Sequence, residues 1–160
     1  MRHAFGPVKA IWIIVKKLSA VLLGILFLFS QGPALAQDMV GLKYWNELKQ
    51  EAVTTESGLQ YKALIMGTGK KPKATSKVNV HYRGLFLNGV VFDTSFDKDE
   101  PVTLGLGKVI KGWKEGIQLM PVGSVFVFLI PPELAYGERG TAGIPPNETL
   151  IFEVELFGFK

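Results

Sequence analysis

From residue 59 onward, apolar positions recur mostly at every second residue. Leu59, Tyr61, Ala63 and Ile65 alternate with Gln60, Lys62 and Leu64, and Val78, Val80 and Tyr82 alternate with Asn79, His81 and Arg83 before the run continues into Leu85. Each run predicts a half-buried strand. Asn88-Gly89 then predicts a two-residue hairpin turn with both central residues at positive φ, and Val90, Val91 and Phe92 return antiparallel. Further strands are predicted over 102–104, over 125–130, which is apolar on both faces and therefore central, and over the alternating Leu150, Phe152, Val154 and Leu156. Between these runs the period changes. Ile110, Trp113, Ile117 and Met120 recur at three and four while Lys111, Lys114, Glu115 and Gln118 fall elsewhere, which predicts a helix within 107–120 stopped by Pro121 and Gly123. Gly116 inside it costs ~1 kcal/mol against Ala, and implies a strand backbone passing close by. Five or so antiparallel strands with one helix on one face make a single α+β domain.

The pattern is different ahead of residue 58. Basic residues up to Lys17 precede an apolar run over 18–29 and the small-x-small site Ala34-Leu35-Ala36, the layout of a secretory signal peptide over 1–36 with Gln37 as the first mature residue. The competing reading is an uncleaved anchor lengthened by the apolar residues 10–15. Lys16 and Lys17 count against it, since each would cost ~3 kcal/mol near the centre of a bilayer. Either way the folded part is exported, to the periplasm or the cell surface. Residues 37–57 form a short N-terminal amphipathic segment in which Leu42, Trp45, Leu48 and Ala52 share a helical face. So short a helix is marginal alone and is expected to pack on the main domain, over 58–160, rather than on another chain.

Charge and composition remove several classes of function. The net charge of +4 resides in the leader, whose Arg2, Lys9, Lys16 and Lys17 meet no acid; the other 14 of the 18 basic residues balance the 14 acidic ones. A nucleic-acid partner therefore has no support. With no cysteine in the chain, disulfides, thiol nucleophiles and cysteine metal sites are excluded. His81, the one histidine after the leader, sits opposite Val80 and Tyr82 and reads as a surface residue, so neither a metal site nor a Ser-His-Asp arrangement is expected. Gly105-Leu106-Gly107 lacks the third glycine of a phosphate loop, and no cofactor is implied. Acidic pairs such as Asp97 with Asp99 and Glu133 with Glu138 lie on charged loops and read as solvated surface.

The remaining chemistry is aromatic and apolar: Tyr82, Phe92, Trp113, Tyr136 and Phe152, with Val109, Ile110 and Ile144. These residues lie in the words Val80-His81-Tyr82-Arg83-Gly84, Asn88-Gly89-Val90-Val91-Phe92-Asp93-Thr94-Ser95, Gly107-Lys108-Val109-Ile110-Lys111-Gly112-Trp113, Leu134-Ala135-Tyr136-Gly137 and Ile144-Pro145-Pro146-Asn147-Glu148-Thr149-Leu150-Ile151-Phe152. In order and over residues 58–160 they resemble the FKBP family of peptidyl-prolyl cis-trans isomerases, and within it the exported bacterial group typified by the macrophage infectivity potentiator. The resemblance implies a five- to six-stranded antiparallel sheet curled around one short helix, with an apolar pocket between them. It implies Trp113 as the pocket floor, Tyr82, Phe92, Val109, Ile110 and Phe152 as walls, with Ile144 beside them, Tyr136 as hydrogen-bond donor to a peptide carbonyl, and Asp93 as a rim carboxylate held by tyrosine hydroxyls. Val102 stands where relatives often carry an aromatic residue, the loop over 137–144 is one residue shorter, and Thr141 replaces a frequent histidine. The implied function is isomerisation of X-Pro bonds in exported proteins during folding. The alternatives are a non-catalytic binding module or chaperone using the same pocket, and a membrane-tethered scaffold. Implied partners are proline-containing clients and macrolides such as rapamycin. The twenty or so residues between Gln37 and Ser57 are too few for the dimerising helical domain that such relatives often carry, so a monomer is expected.

Overall fold

A computed structural model describes residues 40–160; the expected leader and its junction at Gln37 lie outside the described residues. The alternating runs become the strands β1 (Val53–Thr54), β2 (Gln60–Ile65), β3 (Lys77–Phe86), β4 (Val91–Thr94), β5 (Val102–Gly105), β6 (Val125–Ile130) and β7 (Leu150–Phe159). They form one antiparallel sheet of order β1-β2-β6-β7-β3-β4, with β5 also on β3. Seven strands replace the expected five to six. The short β1 comes from the N-terminal segment and pairs Val53 with Tyr61 and Thr54 with Gln60. The ten-residue β3 takes two partners along one edge, β5 over Lys77 to Val80 and β4 over Arg83 to Leu85. In the gap between them the chain leaves the sheet at Ser95, whose N–H donates to the Tyr82 carbonyl (2.9 Å) and whose Oγ accepts from the Tyr82 N–H (2.8 Å). That gap lies beside Tyr82.

The helix is shorter than its periodicity suggested. Leu106–Lys108 is a 3-10 turn, Val109 and Ile110 are extended, and the α-helix proper covers only Lys111–Leu119, here called α2. Two adjacent β-branched residues favour the extended break. The Ile110 carbonyl then accepts the first helical hydrogen bond, from Lys114 N–H at 3.0 Å. Trp113, Ile117 and Met120 are buried against the sheet face that carries Phe126, Phe128 and Ile130, the last two of the helix residues completely; full burial of such a side chain contributes ~1.5–3 kcal/mol. The glycines explain the close approach. A Cβ on Gly116 would lie 2.5 Å from the Phe128 ring, and one on Gly112 would lie 2.5 Å from Ile130. The neighbour expected to be a strand backbone is therefore a pair of side chains from β6, two residues apart. β6 lies between β2 and β7, central as its two-faced apolarity predicted.

A second nine-residue helix, α1 (Val40–Leu48), followed by a 3-10 turn over Lys49–Glu51, lies on the opposite face, so the N-terminal amphipathic segment packs on the domain's own sheet. Its Trp45 is buried with Leu85, Val127 and Ile151, and Leu48 and Ala52 pack beside them; the Leu42 side chain lies outside the described residues. Tyr44 donates to Glu153 (2.6 Å), which also accepts from Arg83 Nε and Nη2 (2.8 and 2.5 Å).

Two smaller corrections concern β3 and its hairpin. The connection is a three-residue loop over 87–89, with Gly89 N–H donating to Phe86 (2.9 Å), Phe86 N–H to Val90 (3.0 Å), and only Gly89 at positive φ. Asn88 instead uses its side chain, whose Oδ1 accepts from Val90 N–H at 3.0 Å. His81 is half-buried rather than superficial, stacked on Phe96 (5.1 Å) and edge-on to Phe157 (5.6 Å), with Nδ1 at 3.1 Å from Ser95 Oγ. Burial lowers its pKa below the usual histidine range.

Candidate functional site

Strand alternation puts Tyr82 and Phe152 on the face that packs against α2, which brings Trp113 to them. The rings meet edge to face: Tyr82 to Trp113 at 5.0 Å and 88°, Trp113 to Phe152 at 5.3 Å and 86°, and Phe92 to Phe152 at 5.5 Å and 89°. Perpendicular pairs of this kind set a positive ring edge against a negative ring face. Gly84 permits the closure, because a Cβ there would lie 2.6 Å from the Phe92 ring and 2.9 Å from that of Phe152. Together these rings wall a cleft of about 240 Å³, smaller than the ~300–1,000 Å³ that drug-sized ligands occupy.

Eight of the nine residues expected at the site line that cleft: Tyr82, Phe92, Asp93, Val109, Ile110, Trp113, Tyr136 and Phe152. Ile144 is buried in the same hydrophobic core but is not among the lining residues. The sequence reading missed Leu104 and Lys108. Leu104 could have been found from the strand pattern, since it alternates with Thr103 and pairs with Val78, which is fully buried. Lys108 could not, because Lys108, Val109 and Ile110 face one cavity in succession, which a helix over 107–120 would forbid. The extended break makes it possible.

The rim is polar. The Tyr82 hydroxyl donates to Asp93 Oδ2 at 2.6 Å. Burial, that hydrogen bond and the carboxylate's charge push the Tyr82 pKa well above the usual phenol range; burial and the charge of Asp93 raise that of Tyr136. Both hydroxyls therefore hold their protons at neutral pH and can donate. Tyr136 sits at φ −105° and ψ 0°, directly before the 3-10 turn Gly137–Arg139 and after Pro132–Leu134, and is 38% exposed. Such bridge-region backbone is common in active sites. Among the lining residues, Trp113 has its Nε1 buried with no partner among the described residues.

Residues 68–157 match the family described as FKBP-type peptidyl-prolyl cis-trans isomerase. The chain is 54% identical over 115 residues to the FKBP-type peptidyl-prolyl cis-trans isomerase FkpA of Aeromonas hydrophila, covering 72% of this chain and 43% of that one. It is 45% identical over 116 residues to the outer membrane protein MIP of Legionella longbeachae, covering 72% of this chain and 50% of the other. The crystal structure of FkpA from Escherichia coli superimposes with a TM-score of 0.69 at 34% identity, covering 95% of this chain and 72% of that one. The chain thus spans about half the length of the curated relatives it matches.

Proposed function

The chain belongs to the FKBP-type peptidyl-prolyl cis-trans isomerase family, and on that premise we propose that it accelerates rotation about X-Pro bonds in exported polypeptides. The observation that carries this is the box of rings around Trp113, with Tyr82 and Phe152 each edge-to-face with it, about 240 Å³ in volume, and proton-bearing tyrosine hydroxyls at its rim. Rotation about an X-Pro bond faces a barrier of ~18–20 kcal/mol because amide resonance must be given up. The twisted amide is less dipolar than the planar one, so transfer from water into an aromatic pocket favours the transition state without a covalent partner or cofactor. In this reading Trp113 is the floor under the proline ring, and Tyr82, Phe92, Val109, Ile110 and Phe152 are the walls. Ile144 supports them from the core. Tyr136 donates to a carbonyl of the peptide, and Asp93 fixes the Tyr82 wall through its hydroxyl. The same cleft would take part of a macrolide such as rapamycin, the rest of the molecule lying outside its about 240 Å³.

Export rests on the sequence of residues 1–36 and on kinship with a protein named for the outer membrane. The monomer reading draws support from Trp45, whose burial on the chain's own sheet removes it as a contact for another copy. The deciding experiment is a proline-isomerisation assay on the purified chain with and without rapamycin. Acceleration that the macrolide abolishes is expected; peptide binding without any acceleration would reduce the protein to a binding module.

A further inference from the structure

Of the residues lining the cleft, two are ionised, Asp93 and Lys108. They differ in what already holds them. The Asp93 carboxylate accepts the Tyr82 hydroxyl at 2.6 Å, whereas Lys108 is exposed and has neither a hydrogen bond nor an ion pair among the described residues. Its backbone, however, is held in place. The 3-10 turn that ends at Lys108 is fastened by Leu106, fully buried, whose N–H donates to the Ser76 carbonyl at 3.0 Å, and the chain then runs extended through Val109 and Ile110 along the cleft wall. Lys111, exposed at the first position of α2, adds a second positive charge three residues on.

We infer that Lys108 is a specificity-determining residue, its ammonium group selecting clients that carry Asp or Glu next to the proline. The inference rests on the isomerase reading and extends it to substrate class. Once the apolar box takes the proline ring, the flanking residue must cross the rim; there Lys108 is the charged lining group with no hydrogen bond among the described residues, and Lys108 with Lys111 outweighs the single negative charge of Asp93. A carboxylate on that residue gains an ion pair with a group that has no competing internal partner; a lysine meets repulsion. Because the pair forms at an exposed rim, its effect is that of a surface ion pair, a factor of about two to five in kcat/KM. Salt screens it, with a Debye length of ~10 Å at 0.1 M falling to ~3 Å at 1 M.

The test uses two sets of short peptides, one varying the residue before proline and one the residue after it, each with Glu, Gln or Lys at that position. The quantity read is the ratio of kcat/KM for the Glu peptide to that for the Lys peptide within each protein, so that any general change in activity cancels. The wild-type chain is expected to favour Glu by about two- to fivefold at one flank or both. Lys108→Gln should bring the ratio to near one, Lys108→Glu should invert it, and ~1 M salt should flatten all three. A ratio that is the same in the wild type and in Lys108→Glu at both flanks would overturn the inference. If no peptide is turned over at all, the isomerase reading fails on its own account, and the same ratio taken from dissociation constants, by calorimetric titration of the same peptides, decides the role of Lys108.

Discussion

Two tryptophans of this protein lie on nine-residue helices packed on opposite faces of one sheet, and of the two only Trp113 lines the cleft. Trp45, 2% exposed, is enclosed by Leu85, Val127 and Ile151, and the polar groups near it are mutually satisfied, with Tyr44 and Arg83 both donating to Glu153. Trp113, 4% exposed, is nearly as buried, yet its Nε1 has no partner among the described residues, and its ring borders a cleft of about 240 Å³. The difference comes from how each helix reaches the sheet. α1 lays its Trp45 face on aliphatic residues and closes the seam with a charge network. α2 is drawn onto β6 through Gly112 and Gly116, while the extended residues before it and the gap beside Tyr82 leave its N-terminal end unclosed. The seam beneath α1 is closed by aliphatic packing and satisfied polar groups, whereas the α2 face carries both the larger hydrophobic core and the open cleft.

The contrast can be broken by experiment, and the largest effect is expected at the closed face. Trp45→Ala should cost ~3–5 kcal/mol of stability, as aromatic truncations in cores do. The isomerisation rate per folded molecule should stay at the wild-type level, checked by thermal melts and the peptide assay on the same sample; a rate that fell with stability would mean that the two faces are not independent. Asp93→Ala should behave in the opposite way. It removes an exposed charge-assisted hydrogen bond and frees the Tyr82 ring, so kcat/KM should drop by about tenfold or more while the melting point falls by much less than in Trp45→Ala. Asp93 would be a turn residue only if the melting point moved and the rate did not.

Tyr136→Phe tests the same rim more gently. Loss of one neutral donor worth ~0.5–1.5 kcal/mol should slow isomerisation by roughly three- to tenfold, with wild-type rates excluding a role for its hydroxyl. The smallest effect belongs to the other face. Glu155, Cα partner of His81 and Val125, has its pKa pushed up by burial to about 7 from the usual 4.5. Because the folded state holds that proton more tightly than the unfolded one, the stabilisation is complete below about pH 4.5 and is lost as pH rises through about 7. After allowance for solvent screening, Glu155→Gln should raise the melting point at pH 8 by roughly 2–4 °C and leave it unchanged at pH 4. A gain of equal size at both pH values would show that the charge is not responsible.

What the sequence by itself determined was the alternation and most of the chemistry. Period two assigned Tyr82 and Phe152 to one face and Arg83 and Glu153 to the other, because successive side chains on a strand point oppositely whatever the strand later pairs with. The five ordered words carried the resemblance, and eight of the nine named site residues were brought together at one cleft. Only the tertiary structure decided the rest, and in each case the reason is a long-range partner. The helix lost its first turn because Val109 and Ile110 continue as extended cleft wall, which moved Lys108 onto the site. The sheet grew to seven strands because the ten-residue β3 leaves room for two partners along one edge and β2 accepts two residues of the N-terminal segment. Ile144 went to the core instead of the lining, and His81 gained its aromatic neighbours Phe96 and Phe157 from segments 15 and 76 residues away. Periodicity reports which face a side chain turns to; what waits on that face is set by residues distant in the chain, and no local pattern contains them.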